Sequence, residues 1–360
     1  MERFACETKV FAGEGALEVL AEREGKRLLL VTEGMGLHNG LTARIREQVR
    51  PRAIEIFDRA TPEPTMTQAV EGVKRLKEFR PELVVAVGGS HVLDCAKAVV
   101  CFSGKPCPLV VAPTEAGSGT ETTDTVTLTH EGRRHTFRDN NLRPDEALLD
   151  SALLRGSPGG KVAEGGFEIL AGSLQAYLGK NTGILTGLHA REAFSGCWGA
   201  LSAAFSGDPA ARGRLQTASA MAGIACSHTG LGLCRAMTDS LGSIFHLSNG
   251  CLSGILLPAV IGCNAHAAGR RLAELSRAAG MGGSNEAVGV RNLKAGLVRL
   301  RRELGMPATL AGAGVDPRWV WGNAKRIVEQ TLENPECRND PVTVDDFLIR
   351  RILEEVTGHY

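Results

Sequence analysis

A glycine turn follows an apolar run near residue 88. Residues 84–87 (Val-Val-Ala-Val) lead into Gly88, Gly89 and Ser90, and a helical pattern begins directly afterwards. Where a strand passes through small residues into a helix, free backbone N–H groups and the helix dipole favour an anion. Glycine also lets a ligand approach the backbone closely. The pattern indicates a phosphate site, although the same turn also forms where no ligand binds.

Two further features suit a nucleotide site. The segment 113–121 (Pro-Thr-Glu-Ala-Gly-Ser-Gly-Thr-Glu) follows another apolar run, and its glycines and hydroxyl side chains are typical of a loop around a ligand. Glu33 ends the first strong apolar run. A carboxylate at the end of a strand can bind a ribose diol and repel a 2′-phosphate. An exposed loop acid remains the alternative for Glu33.

Apolar runs alternate with helical patterns in the first part of the chain. The runs at 27–32, 53–57, 83–87 and 108–113 are typical of buried strands, and residues 66–79 and 92–100 have helical periodicity. This alternation predicts a parallel sheet with helices on both faces. Segments 125–129 and 134–137 flank a turn signal and predict a β-hairpin.

Chain-breaking residues cluster at 156–160 (Gly-Ser-Pro-Gly-Gly). Beyond them, helical periodicity continues almost to the end of the chain. We therefore expect an α/β domain over residues 1–157 and an all-helical domain over residues 158–360.

Charge and cysteine usage restrict the class of protein. The 360 residues include 41 Lys and Arg against 40 Asp and Glu, and a net charge of +1 gives no electrostatic case for nucleic acid or an anionic membrane. The longest apolar stretch, 254–261, is interrupted by Pro258, so no membrane-spanning run is expected. No signal peptide is recognised, and the 10 cysteines lack CxxC pairing, which predicts reduced thiols and a cytoplasmic protein.

The ordered motifs resemble those of the iron-dependent alcohol dehydrogenase superfamily. The glycine turn continues into the family's Asp-x-x-Lys at Asp94 and Lys97, and 113–121 is similar to its Pro-Thr-Thr-Ala-Gly-Thr-Gly-Ser-Glu motif. Segments 62–65, 222–225, 230–233 and 255–258 are similar to further family motifs. The resemblance covers nearly the whole chain. It implies the dehydroquinate synthase-like fold, with a dinucleotide between an α/β and an all-helical domain.

The resemblance also implies which residues bind the cofactor. NAD is expected, with NADP less favoured, and the implied contacts are Glu33, Gly88, Gly89, Ser90, His91, Thr114 and Ser118. In this scheme the glycine turn cradles the diphosphate, the hydroxyl side chains of the later loop line the nicotinamide, and the acid at position 33 selects NAD.

Three positions depart from the family motifs. Ser90 replaces the third glycine, and His91 replaces the motif serine, where it would either crowd the phosphates or donate a hydrogen bond to them. Glu115 replaces the second threonine, which places a negative charge near the cofactor.

The family's metal ligands correspond by resemblance to Glu168, Gly172, Arg235 and Asn249. In the family, an Asp and a His one helical turn apart and two further His hold a divalent ion that acts as a Lewis acid on the substrate oxygen. Only Glu168 is a plausible ligand here, and Arg235 would bring a fixed positive charge instead. We expect no iron or zinc at this site.

The candidate catalytic residues are Glu168, Arg235 and Asp239, the last of which replaces an additional family histidine. Arg235 would either pair with one of the two carboxylates or bind a substrate oxyanion. A new metal site formed by His228, His246 and the two acids is a further alternative.

Two functions are consistent with these residues. The first is an NAD-dependent oxidoreductase of a small alcohol or aldehyde, expected as a homodimer. The family's metal-free branch, the maleylacetate reductases, keeps histidines that this chain lacks. The second is a non-catalytic relative that serves as a partner subunit, a scaffold or a cofactor-binding sensor.

Overall fold

The chain folds into two compact units. The computed structural model describes residues 2–23, 26–34, 40–49 and 53–358. One unit is Ala5–Ser157, and the other contains the described residues from Pro158 onward together with residues 2–4. The division between Ser157 and Pro158 falls within the cluster of chain-breaking residues.

The first unit is built on a six-stranded sheet in which every pairing is parallel. Its strands, in chain order, are β1 (Lys9–Ala12), β2 (Arg27–Val31), β3 (Ala53–Phe57), β4 (Leu83–Gly88), β5 (Leu109–Pro113) and β8 (Glu146–Leu149). Their spatial order is β1-β8-β5-β4-β2-β3. The two central strands, β5 and β4, are paired in parallel, so their C-terminal ends lie side by side.

Both faces of this sheet are buried. Leu83, Val85 and Val87 of β4 pack in one core cluster with Ile45 of helix α1 (Leu41–Gln48). The alternate residues of β4, such as Val84, are also fully buried, so the opposite face is covered as well. Burial on two faces explains why the strands are continuous apolar runs rather than alternating ones.

Two further α-helices and a hairpin also belong to the first unit. Helix α2 (Met66–Phe79) begins at Thr65, whose side chain forms a capping box with Gln68. Helix α3 is Ser90–Phe102, so it begins two residues earlier than its apolar pattern predicted. The hairpin of β6 (Thr125–His130) and β7 (Arg133–Arg138) forms a separate antiparallel sheet, as expected.

The second unit contains helices and no strand among the residues that the structure describes. Its helices are α4 (Gly159–Leu178), α5 (Ile184–Phe205), α6 (Pro209–Thr229), α7 (Leu233–Phe245), α8 (Asn249–Ala278), α9 (Glu286–Glu303), α10 (Pro317–Gly322), α11 (Ala324–Glu333) and α12 (Asp346–Thr357). Helix α8 begins so close to α4 that a Cβ on Gly250 would overlap the backbone of Glu164. This close approach brings the first turn of α8 against the side chains of α4.

One helix corrects the expectation that no segment could span a bilayer. Helix α8 (Asn249–Ala278) is long and apolar enough to do so by length and composition, with a mean hydropathy of 1.5 over its most apolar window. A search for an unbroken apolar run missed this helix, because Gly, Ser and Asn residues interrupt the run. The mean hydropathy over an 18-residue window nevertheless stays high enough for a membrane span. Of that window, 67% is buried inside the protein, as in a core helix.

The N-terminal residues correct the predicted domain boundary. The carboxylate of Glu2 accepts hydrogen bonds from the backbone N–H groups of Leu185 (3.0 Å) and Thr186 (2.9 Å), at the first turn of α5. The ring of Phe4 stacks on that of His228 with centroids 4.4 Å apart. A carboxylate at a helix N-terminus is stabilised by the free N–H groups there, so residues 2–4 join the helical unit.

All ten cysteines are free thiols. Cys95 is buried, and burial raises the pKa of its thiol to about 12. Cys101 is only half-buried.

Candidate active site

The glycine turn joins β4 directly to α3. Gly88 is the last residue of β4, and Gly89 is the N-cap of α3. A Cβ on Gly88 would lie 2.8 Å from the Cβ of Val92, so the first turn of the helix leaves no room for a side chain there. The sequence thus needs a glycine to turn from strand to helix at this point, with Ser90 and His91 in the first helical turn.

The loop after β5 packs against this turn. Residues 88 and 113 are register partners in the parallel pairing of β4 and β5. The N–H of Thr114 donates to the carbonyl oxygen of Gly88 at 3.0 Å. Ser90 and Glu115 each lie two residues beyond this register pair. The N–H of Ser90 donates to Oε1 of Glu115 at 2.8 Å. The first N–H of α3 is therefore bonded to a carboxylate of the same unit.

The predicted ribose acid also contacts the turn. Glu33 lies two residues beyond β2, and its Oε2 is 3.2 Å from Nε2 of His91. The structure thus brings Glu33, His91 and Thr114 together with the glycine turn. Ser118 lies farther along the loop, where its hydroxyl accepts a hydrogen bond from the N–H of Thr120 at 3.3 Å.

Asp94 and Lys97 attach this loop to α3. The ammonium of Lys97 is fully buried and donates to the carbonyl oxygens of Thr120 (2.9 Å) and Thr125 (2.7 Å). Asp94 accepts from the hydroxyl of Thr120 and from the N–H of Thr127 at 3.1 Å. Burial is the largest influence on Lys97 and lowers its pKa to about 8, against the opposing effect of Asp94.

This buried amine predicts a pH dependence of stability. Between about 8 and 10.5 the unfolded chain keeps the Lys97 proton and the folded chain releases it. The unfolding free energy of the parent should therefore rise with pH in this window, relative to Lys97→Met, by about 2–3 kcal/mol. Urea unfolding over this pH range measures the difference. Lys77→Met, an exposed position on α2, should show no such trend. Parallel pH profiles for the parent and Lys97→Met would contradict the prediction.

The second group of candidate residues lies on three helices of the helical unit. Glu168 and Gly172 are one turn apart on α4, Arg235 and Asp239 are one turn apart on α7, and Asn249 begins α8. The amide of Asn249 donates to Oε1 of Glu168 at 3.3 Å. The predicted ion pair of the arginine is present, because Nε of Arg235 is 2.9 Å from Oδ1 of Asp239.

Neighbouring carboxylates keep the Arg235 guanidinium protonated. Burial by itself would lower the pKa of the Arg235 guanidinium. The negative charges of Asp239 and Glu168 outweigh that effect and raise the pKa above its usual value. The side chains of Arg235 and Asp239 are only 20% and 12% exposed, so water screens the pair weakly.

Further side chains, which the motifs did not indicate, position this pair. Oε1 of Gln175 on α4 accepts a hydrogen bond from the N–H of Arg235 at 3.0 Å. The amide of Asn334 donates to Oδ2 of Asp239 at 3.1 Å. The carboxylate of Asp340 accepts from the N–H of Leu233 at 2.8 Å, where α7 begins. These amide and acid partners come from segments distant in sequence, so no local pattern could have identified them.

These residues do not fit a divalent ion. Gly172 has no side chain, Arg235 has no lone pair, and the oxygen of Asn249 is a weak neutral donor. Tight zinc sites need three or four converging donors, and Glu168 alone cannot supply them. Across the residues that the structure describes, no group of three or more His, Cys, Asp or Glu is arranged to hold a metal ion.

The alternative site with two histidines is also not formed. Nδ1 of His228 lies 2.7 Å from the carbonyl oxygen of Ile224, one turn earlier on α6. His246 caps the C-terminus of α7 in a left-handed conformation, with φ 56°. Neither histidine joins Glu168 and Asp239 in a metal-binding group within the described part of the chain.

Comparison with known proteins assigns the family. Residues 7–151 match the family described as iron-containing alcohol dehydrogenase, and residues 162–356 match the C-terminal family of Fe-containing alcohol dehydrogenases. A 1-propanol dehydrogenase of Citrobacter freundii is 30% identical over 370 residues, covering 99% of this chain and 100% of that protein. The chain belongs to the iron-containing alcohol dehydrogenase family.

Other relatives of this alcohol dehydrogenase family agree with the assignment. An NADPH-dependent butanol dehydrogenase of Clostridium saccharobutylicum is 25% identical, covering 98% of this chain and 97% of that protein. The structure of an iron-containing alcohol dehydrogenase from Thermococcus thioreducens matches with a TM-score of 0.91 and 25% identity, covering 98% of each chain. The predicted fold class and the predicted superfamily are both confirmed.

Proposed function

We propose that this alcohol dehydrogenase relative transfers a hydride between NAD and a small alcohol or aldehyde, without a divalent ion at the family's metal position. The observation that supports it is the turn of Gly88 and Gly89, which ends β4 and begins α3 in a chain that matches the family over its length. Such a turn directs backbone N–H groups and the helix dipole towards a diphosphate.

Arg235 is the proposed substitute for part of the metal's chemistry. When bound, a reduced nicotinamide would supply a hydride to the carbonyl carbon. The electron pair of the C=O bond would then move to oxygen, which would take up a proton from water. The developing negative charge on oxygen needs a cation or hydrogen-bond donors. Arg235 supplies a permanent guanidinium with several N–H donors. Its ion pair with Asp239 holds it in one orientation.

The direct test is oxidation of the reduced dinucleotide by the purified 360-residue chain with propanal and butanal. We expect turnover with NADH that persists after dialysis against EDTA, because no step depends on a divalent ion. Arg235→Gln, which keeps donors but removes the charge, should lower kcat more than it raises KM. The release of alcohol in equal amount to the NADH consumed would confirm the balance of the reaction.

Each negative result of this assay has a distinct meaning. Turnover that disappears with EDTA and returns with added iron or zinc would contradict the metal-independent mechanism. Binding of NADH without turnover of any short aldehyde would favour the non-catalytic alternative, a cofactor-binding relative. Circular dichroism of each variant separates a loss of chemistry from a loss of fold.

The preference for NAD is a separate prediction that rests on Glu33. Relatives in the family include an NADPH-dependent enzyme, so membership does not decide the cofactor. Glu33 lies beyond β2 beside His91 and carries a charge that would repel a 2′-phosphate. NADH should bind about tenfold more tightly than NADPH, a difference of about 1.4 kcal/mol, and Glu33→Gln should abolish the preference. Isothermal titration calorimetry measures both affinities.

A neighbouring acid provides the matched control for this titration. Asp58 follows the adjacent strand β3, and its side chain is 42% exposed. Asp58→Asn changes the net charge by the same amount and should keep the preference for NADH. Tighter binding of NADPH than of NADH to the parent would refute the role of Glu33.

A further inference from the structure

The carboxylate of Glu115 occupies the N-terminus of helix α3. Ser90 is the first residue of this 13-residue helix, and its N–H donates to Oε1 of Glu115 at 2.8 Å. Phosphates and carboxylates are stabilised at helix N-termini by the same free N–H groups and the same dipole. An internal anion therefore holds the position that the proposed function gives to the cofactor's diphosphate.

The space over Gly89 is filled by the same side chain. A Cβ built on Gly89 would lie 2.6 Å from Oε1 and 3.0 Å from Cδ of Glu115, and 3.0 Å from Cε1 of His91. The absence of a side chain at residue 89 normally lets a ligand approach the backbone. Here Glu115 and His91 take up that space.

The fold explains why Glu115 reaches this position. Because β4 and β5 are paired in parallel with Gly88 opposite Pro113, the residues that follow both strands advance together. The hydrogen bond from the N–H of Thr114 to Gly88 keeps the two segments in contact one residue further on. A side chain at residue 115 is then adjacent to the start of α3, and a glutamate there is long enough to cap it.

We propose that Glu115 competes with the cofactor's diphosphate for the N-terminus of α3 and so determines the affinity for dinucleotide. This inference rests on the proposed function, because it assumes that the glycine turn binds a dinucleotide. Binding requires the Glu115 side chain to leave the N–H of Ser90, and the two anions repel each other if it stays near. Glu115 lies on a loop and is half-buried, so its side chain retains access to solvent.

The test compares two variants with three probes. Glu115→Gln keeps the shape without the charge, and Glu115→Thr restores the residue of the family motif. Calorimetric titrations use NADH, ADP as a diphosphate without nicotinamide, and adenosine without phosphate. Since a hydrogen bond to a charged group contributes more than a neutral one, both variants should bind NADH and ADP at least about tenfold more tightly. The affinity for adenosine should not change.

A control variant at a distant acid tests whether the loss of any negative charge would have the same effect. Glu131→Gln, at an exposed acid with a side chain 84% accessible in the turn of the β6–β7 hairpin, should leave all three affinities unchanged. Equal affinities of parent and variants would overturn the inference and leave the proposed function standing. The same gain in affinity with Glu131→Gln would also overturn it, because a general loss of negative charge would then suffice. The same gain with adenosine would overturn it as well, because the effect would then not depend on a phosphate.

The remaining outcomes separate this inference from the proposed function. Tighter dinucleotide binding by both variants without aldehyde turnover would support the role of Glu115 and refute the oxidoreductase. A folded parent and folded variants that bind neither NADH nor ADP would refute both.

Discussion

Three histidines are expected to restore metal binding to this chain. The variant Gly172→His, Arg235→His and Asn249→His, with Glu168 retained, should purify with about one zinc or iron per chain, whereas the parent should not. Three imidazoles and one carboxylate make four donors, which is the number that a tetrahedral site needs. Elemental analysis after dialysis measures the metal content.

The geometry of the helical unit permits this restoration. A Cβ on Gly172 would meet only Cys226 Sγ at 3.6 Å and Leu231 Cδ2 at 4.0 Å, which are ordinary contacts. The Asn249 amide already bonds to Glu168 across the gap between α8 and α4, so a side chain at residue 249 can reach the carboxylate.

The double variant Gly172→His and Asn249→His is the matched control for the triple variant. It supplies two imidazoles but keeps Arg235, whose guanidinium would repel a dication in a weakly screened site. Metal content should therefore stay far below one per chain. Stoichiometric metal in the parent, bound near Glu168 and Asp239, would refute the interpretation and restore a metal-dependent mechanism.

Removing the charge of Arg235 is expected to destabilise the protein. Arg235→Met should lower the free energy of unfolding by about 3 kcal/mol, because it leaves the carboxylate of Asp239 without its ion pair in a poorly solvated position. The estimate is at the lower end for buried pairs since 20% of the Arg235 side chain is exposed. Urea unfolding at neutral pH measures the loss.

A double-mutant cycle distinguishes the ion pair from lost packing. Asp239→Asn removes the partner charge and should also destabilise the protein, but the double variant with Arg235→Met should lose less than the sum of the two single variants. Arg235→Lys, which keeps the charge without the planar fork, should fall between the parent and Arg235→Met. Additive losses in the cycle would show that the pair contributes no interaction energy of its own.

Local patterns predicted the elements of the fold but not all of their ends. The apolar run of β4 and the helical period of α2 identified those elements correctly, because strand burial and amphipathicity are recorded in neighbouring residues. The start of α3 was placed two residues late, because Ser90 and His91 are polar and carry no apolar period. The membrane-spanning potential of α8 was missed, because a continuous run is a stricter criterion than an average over a window.

The candidate site was predictable in its residue types and not in its contacts. The chemistry of Arg235 excludes it as a metal ligand in any fold, and the need for a carboxylate partner followed from its charge. The sequence left open whether Arg235 would pair with Glu168 or with Asp239. In the structure, Arg235 forms its ion pair with Asp239. Asp239 accepts a hydrogen bond from Asn334, which is 95 residues away, so no local sequence pattern could predict this contact.

The amino-acid sequence by itself determined the two architectures and the family. These follow from side-chain chemistry and from periodicities that are local to each segment. The tertiary structure alone decided that Glu115 caps α3 and that His91 meets Glu33, across separations of 25 and 58 residues. Such contacts depend on the order and register of parallel strands, which bring residues from distant segments to one edge of a sheet.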